Sequence, residues 1–298
     1  MLVIPDKIQS LLEWSKDPKN NIQIKDWDSV ANKIMKFNQQ KTEHIHIIAD
    51  FDMTLTKYWE NGKRSRSSHG ILEASNGLTT EMKEKLGELY KKYYPLEISQ
   101  EITYEEKFKH MEAWWSKAHE CIVESKISKS NLHQLVKENP VSFRPLLKEF
   151  IQLITTREIP LLVFSAGLAD VLECVLQSEP GFWTDDMAIV SNKMIFDSEG
   201  ICVGFEDPLI HTLNKNEAGV SSTVHAQKVD HRDNIILMGD SLGDLKMSAG
   251  IRFENQLTVG FLNHDVEQLL PTYMDQFDVV LINDTSLEWL ILLISLLD

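Results

Sequence analysis

The run IHIIADFDMTLT at residues 45–56 constrains the fold more than any other stretch, because it passes from an apolar strand into a polar turn bearing two carboxylates one residue apart. Ile45, Ile47, Ile48 and Ala49 suit a strand packed on both faces, where β-branched side chains fit a pleated surface. Such a strand belongs to a parallel sheet covered by helices, and open sheets of that kind bind ligands in the crevice beyond their carboxyl strand ends. Asp50 then stands at the crevice, and Asp52 is near enough for a nucleophile and a proton donor to share one pocket. A plainer reading is also open: strand-end aspartates form turns and cap helices by bonding to nearby backbone.

The rest of the chain supplies a sheet for that strand. Ile8, Leu11 and Leu12, then Val30, Ile34 and Phe37, recur at helical spacing and predict two amphipathic helices covering the sheet. Residues 57–78 are polar and rich in glycine and serine (ENGKRSRSSHG), which predicts a mobile linker and a hinge. From Thr79 to Lys137 the pattern is helical without a strand, so residues 61–139 are expected to form an inserted helical cap on an α/β core of residues 1–60 and 140–298. Beyond Pro140 strands and helices alternate: helix FRPLLKEFIQLI, strand PLLVFSAG, helix ADVLECVL, strand MAIVSN and a hairpin turning near Asp197–Gly200. Strand NIILMG, helix LKMSAG, strand TVGF, helix VEQLLPTY, strand DVVLI and a last helix complete it. The expected fold is α/β with a doubly wound parallel sheet.

A net charge of −15 opposes binding to nucleic-acid polymers or anionic membranes, so a phosphate ligand here needs a local cation: a metal, a lysine, or both. Cys121, Cys174 and Cys202 form no CxxC pair, which disfavours zinc and a disulfide framework and predicts reduced thiols. The opening residues show no signal-peptide pattern, and LEWLILLISLLD is shorter than the roughly 20 residues a membrane helix needs. A cytoplasmic monomer is expected.

Four stations carry chemistry: Asp50/Asp52, Ser165 ending LLVFSAG, Lys215 in LNKNEAG, and Asp240/Asp244 in NIILMGDSLGDL. Each has an ordinary alternative, with Ser165 capping the helix from Ala169, Lys215 a solvated loop charge and Asp244 an exposed helix residue. Gathered at one sheet edge, they divide the labour of phosphoryl transfer. Asp240, an oxygen of Asp50 and the Asp52 carbonyl suit Mg²⁺, a small hard cation, with Asp244 supporting that shell. Ser165, the Ala166 amide and Lys215 would donate to the phosphoryl oxygens. Asp50 would attack phosphorus, and Asp52 would protonate the leaving alcohol and then activate water.

The order DFDMT, Ser165, Lys215, GDSLGD resembles the haloacid-dehalogenase-like phosphohydrolases. More narrowly, ADFDMTLT, YYPLE, EAWWSKAH, VFSAG, LNKNE and GDSLGDLKM are similar to the cytosolic 5′-nucleotidase III family over roughly residues 40–298. The resemblance implies Mg²⁺-dependent dephosphorylation of nucleoside 5′-monophosphates under a helical cap. It places the family's base-contacting carboxylate on Glu97, its phosphate serine on Ser165 and its phosphate lysine on Lys215. Members preferring pyrimidine monophosphates carry Tyr and Ser where this chain has Trp115 and Ala118, and a second tryptophan resembles the branch accepting 7-methylguanosine monophosphate, with cytidine monophosphate also taken. N7-methylation makes the purine cationic, and a cation over an indole gains about 0.5–2 kcal/mol. Trp115, or else Trp114, would stack on the base. The alternative is that Phe108, Met111, Trp115, Ala118 and Ile122 form only the helix's core stripe. A pyrimidine nucleotidase with phosphotransferase activity, a phosphoserine-type phosphatase and a catalytically silent binding protein are the competing functions.

Overall fold

The computed structural model describes residues 4–99, 101–215 and 228–297. Helix α1 (Asp6–Ser15), edge strand β1 (Ile22–Gln23) and helix α2 (Trp27–Gln40) precede the central strand β2 (Ile45–Ala49). Both helices bury the expected apolar faces, and the Asp26 carboxylate caps α2 by accepting from the Ser29 amide. Next come a hairpin of β3 (Trp59–Glu60) and β4 (Lys63–Arg64), then α3 (Ser68–Ala74), α4 (Thr80–Ile98), α5 (Tyr104–Glu124) and α6 (Leu132–Glu138). Alternation resumes with α7 (Leu147–Thr156), β5 (Leu161–Leu168), α8 (Ala169–Ser178) and β6 (Met187–Asn192). A hairpin of β7 (Met194–Phe196) and β8 (Cys202–Phe205) follows, then β9 (Asn234–Gly239), β10 (Asn255–Leu262), helix Val266–Gln276, β11 (Val279–Ile282) and helix Glu288–Leu296.

The main sheet has the order β1-β11-β10-β9-β2-β5-β6 and is parallel except for β1, which pairs antiparallel with β11. The chain winds outward from β2 through β5 and β6, then returns to β9 on the other side of β2. The reversal beside β2 is the switch point at which a crevice opens past the strand ends. Every residue of β2, β5 and β9 is buried, as strands covered on both faces require. The three cysteines are free and buried. Among the described residues, no helix is long and apolar enough to cross a membrane.

Three local expectations need correcting. Residues 57–78 are not an element-free linker: Asn61 and Gly62, at φ 50° and 73°, make the tight turn of the β3–β4 hairpin, and Ser67 caps α3 by accepting from the Gly70 amide. Burial of Ile71 and Leu72 holds that helix where composition alone predicted a loop. LKMSAG forms no α-helix: a 3₁₀ helix over Leu242–Lys246, in which Asp244 folds back on Ser241, ends two residues into it, and Met247–Gly250 are turns. The edge strand β1 was not expected, being only two residues long.

The helices between β2 and β5 are joined to the core at their far end. The Cys202 amide donates to Ile127 O at 2.8 Å and the Lys129 amide to Gly200 O at 2.8 Å, so the β7–β8 hairpin braces the root of α5.

Candidate active site

Asp50 leaves β2 with its amide donating to Met238 O at 2.9 Å, which fixes it beside β9. The chain then makes one helical turn, the Leu55 amide donating to Phe51 O at 3.0 Å, with Met53 in the left-handed region at φ 65°. Carbonyls of this turn point at Arg144, which is 2% exposed and donates to Met53 O and Thr54 O while pairing with Asp284 at 3.6 Å. Burial lowers the Arg144 guanidinium to about 10.

Asp52 is held at both oxygens by one residue: Oδ1 accepts from the Ser68 amide at 2.9 Å and Oδ2 from its hydroxyl at 3.0 Å. Burial nevertheless raises its carboxyl to about 6, the Ser68 bonds opposing the shift. Asp50 is pushed up to about 7, chiefly by burial and partly by the charges of Asp244 and Asp52, with Lys215 opposing. The Lys215 ammonium donates to Asp50 Oδ1 and, at 2.7 Å, to Asp244 Oδ1. Burial would lower that ammonium's pKa, but the two carboxylates raise it above its ordinary value.

Asp50, Asp240 and Asp244 each offer an oxygen within 4.8 Å of the others. Burial and the neighbouring charges of Asp50 and Asp244 lift the Asp240 carboxyl well above its usual range. Crowded hard oxygen donors of one sign fit a small divalent cation, which would offset their repulsion. Asp244, expected only in support, thus lies among the candidate ligand carboxylates, its Oδ2 accepting from the Ser241 amide and hydroxyl at 2.9 Å. This approach needs glycine at 239, where a Cβ would sit 2.4 Å from Asp244 Cβ.

Ser165 lies inside β5, 1% exposed, its Oγ accepting from the Gly167 amide at 3.0 Å rather than capping α8. The Ala166 carbonyl accepts from Trp115 Nε1 at 2.8 Å and from Asn192 Nδ2 at 3.0 Å. Trp115 is half-buried at the junction with the core and packs against the cluster containing Phe164 and Ala166. Trp114 lies within the insertion, its ring parallel to Tyr93 at 6.1 Å and edge-on to Tyr90 at 6.0 Å. Of the supposed core stripe, Met111, Ala118 and Ile122 are buried. Glu97 ends α4 half-buried; burial raises its carboxyl, with Thr212, Arg64, Lys107 and Lys215 pulling the other way. The end of the LNKNE motif lies outside the described residues.

Two residues of the site escaped the sequence reading. Ser68 had a usable signal, the Ser67–Ser68 pair just before the apolar Ile71 and Leu72, which marks a helix start. Arg144 had none, because its partners lie up to 141 positions away in sequence.

A family model described as pyrimidine 5′-nucleotidase (UMPH-1) matches residues 53–297. The chain belongs to this 5′-nucleotidase family. It is 40% identical over 271 residues to the 7-methylguanosine phosphate-specific 5′-nucleotidase A of Xenopus laevis, covering 91% of this chain and 93% of the relative. It is 40% identical over 247 residues to the 7-methylguanosine phosphate-specific 5′-nucleotidase of Homo sapiens, covering 83% and 82%. The crystal structure of cytosolic 5′-nucleotidase IIIB bound to cytidine superposes with a TM-score of 0.88 at 33% identity, over 97% of each chain. The 5′-nucleotidase is therefore an enzyme, a phosphoric monoester hydrolase, and the α/β fold expected from its motifs is the fold observed.

Proposed function

We propose that this 5′-nucleotidase is a cytoplasmic, Mg²⁺-dependent monomer that hydrolyses nucleoside 5′-monophosphates in two steps, preferring 7-methylguanosine monophosphate and also taking cytidine monophosphate. The observation that carries the chemistry is the cluster in which buried Asp50 touches Lys215 while Asp52 is held at both oxygens by Ser68. An Asp50 oxygen attacks phosphorus, the bond from phosphorus to the 5′ oxygen breaks, and Asp52 gives its proton to that oxygen. A carboxyl raised to about 6 by burial suits a group that must first give a proton and later take one. Water then attacks the phosphoryl group, Asp52 accepts a proton, and phosphate leaves as the Asp50 carboxylate returns. Lys215, Ser165 and the Ala166 amide would hold the non-bridging oxygens. Asp50, Asp240 and Asp244 would hold a divalent cation, which supplies charge neutralisation for the incoming phosphate.

The base preference is supported by the names of the relatives at 40% identity and by Trp115, whose indole is tethered to Ala166 beside the phosphate donors. Ala118 is buried one helical turn on, and Glu97 would accept from the base's N–H donors. The family description and the cytidine-bound relative favour the second reading, a pyrimidine nucleotidase. Steady-state hydrolysis of 7-methylguanosine, guanosine, cytidine and uridine monophosphates and of phosphoserine, with Mg²⁺ and with excess chelator, separates these. The expected order puts the methylated purine first and cytidine monophosphate next, with all activity lost in chelator. Good turnover of uridine and cytidine monophosphates without the methylated purine would replace this reading by the pyrimidine one. Full activity in chelator would remove the metal.

A further inference from the structure

Helix α5 meets the core in unlike ways at its two ends. Its C-terminal root is joined by backbone hydrogen bonds to the β7–β8 hairpin, and His119 stacks on Phe205 with ring centroids 3.8 Å apart. The helix has 21 residues, so its first residue, Tyr104, lies about 30 Å from its last. At that distant end the contacts with the core are made by side chains: the Phe108 ring lies edge-on to His211 at 4.7 Å, and Tyr104 reaches furthest out. The Tyr104 hydroxyl donates to Leu213 O at 2.8 Å, and the Lys246 ammonium sits 3.8 Å from the Tyr104 ring centroid. A capping box between Thr103 and Glu106 fixes Tyr104 in the first turn.

Both partners of Tyr104 belong to the segments that hold the Lys215 ion pair. Leu213 is two residues before Lys215, and Lys246 is two residues after Asp244 in the same 3₁₀ turn. Within the loop before Lys215, Asn214 accepts from the His211 amide at 2.7 Å and donates to Leu209 O at 2.7 Å, and the Leu213 amide donates to His211 Nδ1 at 3.2 Å, while Asn192 holds both backbone groups of Ile210 from outside. Tyr104 takes the carbonyl this loop turns outward.

We infer that Tyr104 and Lys246 form a latch that holds the free end of the helical insertion over the cleft and positions the Lys215 loop when a nucleoside monophosphate is bound. The inference rests on the proposed nucleotide substrate. Both are positioning residues that touch no reacting atom. Tyr104 is 44% exposed and Lys246 is exposed, so each contact is weak enough to open for entry and release, unlike the backbone stitching at the root.

The test uses Tyr104→Phe, which drops the hydroxyl and keeps the ring, and Lys246→Gln, which drops the cation. Each should lower kcat/KM for nucleoside monophosphates roughly two- to tenfold, the shift expected for one weak contact. Glycerol phosphate offers the same phosphate and an alcohol leaving group but no base for the insertion to close upon, and its kcat/KM should be unchanged, as should the melting temperature. Unchanged nucleotide kinetics, or an equal loss on glycerol phosphate, overturns the latch. Amide hydrogen exchange across residues 209–215, measured without substrate, keeps the two readings apart. It should be faster in Tyr104→Phe even if the wild-type protein ignores nucleotides, and an unaltered exchange rate overturns the loop contact by itself.

Discussion

Ser68→Ala isolates the hold on Asp52, the proton donor proposed above. The substitution removes the hydroxyl that donates to Asp52 Oδ2 at 3.0 Å and keeps the amide that donates to Oδ1 at 2.9 Å. A hydrogen bond to a charged acceptor contributes about 1.5–3 kcal/mol, so loss of carboxyl orientation should lower kcat/KM for nucleotides about ten- to a hundredfold. The leaving group sharpens the test. A nucleoside alkoxide needs a proton in the transition state, whereas p-nitrophenolate departs without one, so kcat/KM for p-nitrophenyl phosphate should fall much less. Gly167→Ala reaches the same bond from the other side: a Cβ there would lie 2.0 Å from Ser68 Oγ, so the hydroxyl must move. Both variants are read by steady-state kinetics beside a thermal melt. A Ser68→Ala enzyme with wild-type nucleotide kinetics, or one losing equally on both substrates, would refute the argument that Ser68 serves proton donation through Asp52.

Asp50→Asn should abolish turnover without lowering the melting temperature, because burial already disfavours its charge and Lys215 keeps Asp244 at 2.7 Å; substantial remaining turnover would mean direct attack by water. Trp115→Ala should raise KM for 7-methylguanosine monophosphate well beyond its effect on cytidine monophosphate, up to about thirtyfold for a desolvated cation–π contact, and Trp114→Ala should mainly lower stability. Equal KM changes for the two nucleotides would count against stacking. The third expectation concerns acid. Burial, reinforced by His69, holds His119 down to about 3, so the unfolded chain takes up a proton near pH 6.5 that the fold refuses. That contribution to stability is complete above pH 6.5 and shrinks as pH falls toward the folded value, by about 2 kcal/mol between pH 7 and 5. His119→Phe, which keeps the stack on Phe205, should flatten the pH dependence of urea unfolding by about one proton, and an unchanged slope would contradict the assignment.

The strands were legible because burial on both faces leaves continuous apolar runs, and with them came Asp50, Ser165 and Asp240, which are tied to strands in sequence. The β7–β8 hairpin and the helices α4, α5 and α6 were also legible, the first from its turn residues and the others from a 3.6-residue period. Residues 57–78 were misread because their polar composition hid two short elements held by tertiary contact: Asn-Gly was in fact a hairpin signal, and α3 depends on buried Ile71 and Leu72. The contacts that hold the loop before Lys215 gave no signal. Asn214 bonds within its own loop while Tyr104 arrives from 109 residues away, and no local pattern encodes a meeting of that kind.

Arg144 bears on how the protein comes into being. The guanidinium that satisfies the carbonyls of Met53 and Thr54 also donates to Thr285 O, and its carboxylate partner Asp284 accepts from the amides of Tyr58 and Trp59, the former 226 residues earlier. Synthesis delivers Asp50 early, Arg144 midway and the Asp284 that pairs with Arg144 nearly last. A nascent chain that has passed β2 carries Asp50 and Asp52 without a partner for those carbonyls until Arg144 is made, and Arg144 without its carboxylate partner until Asp284 follows. Fragments ending before residue 284 should therefore keep the Arg144 bonds to Met53 O and Thr54 O but leave the buried guanidinium without the carboxylate that pairs with it.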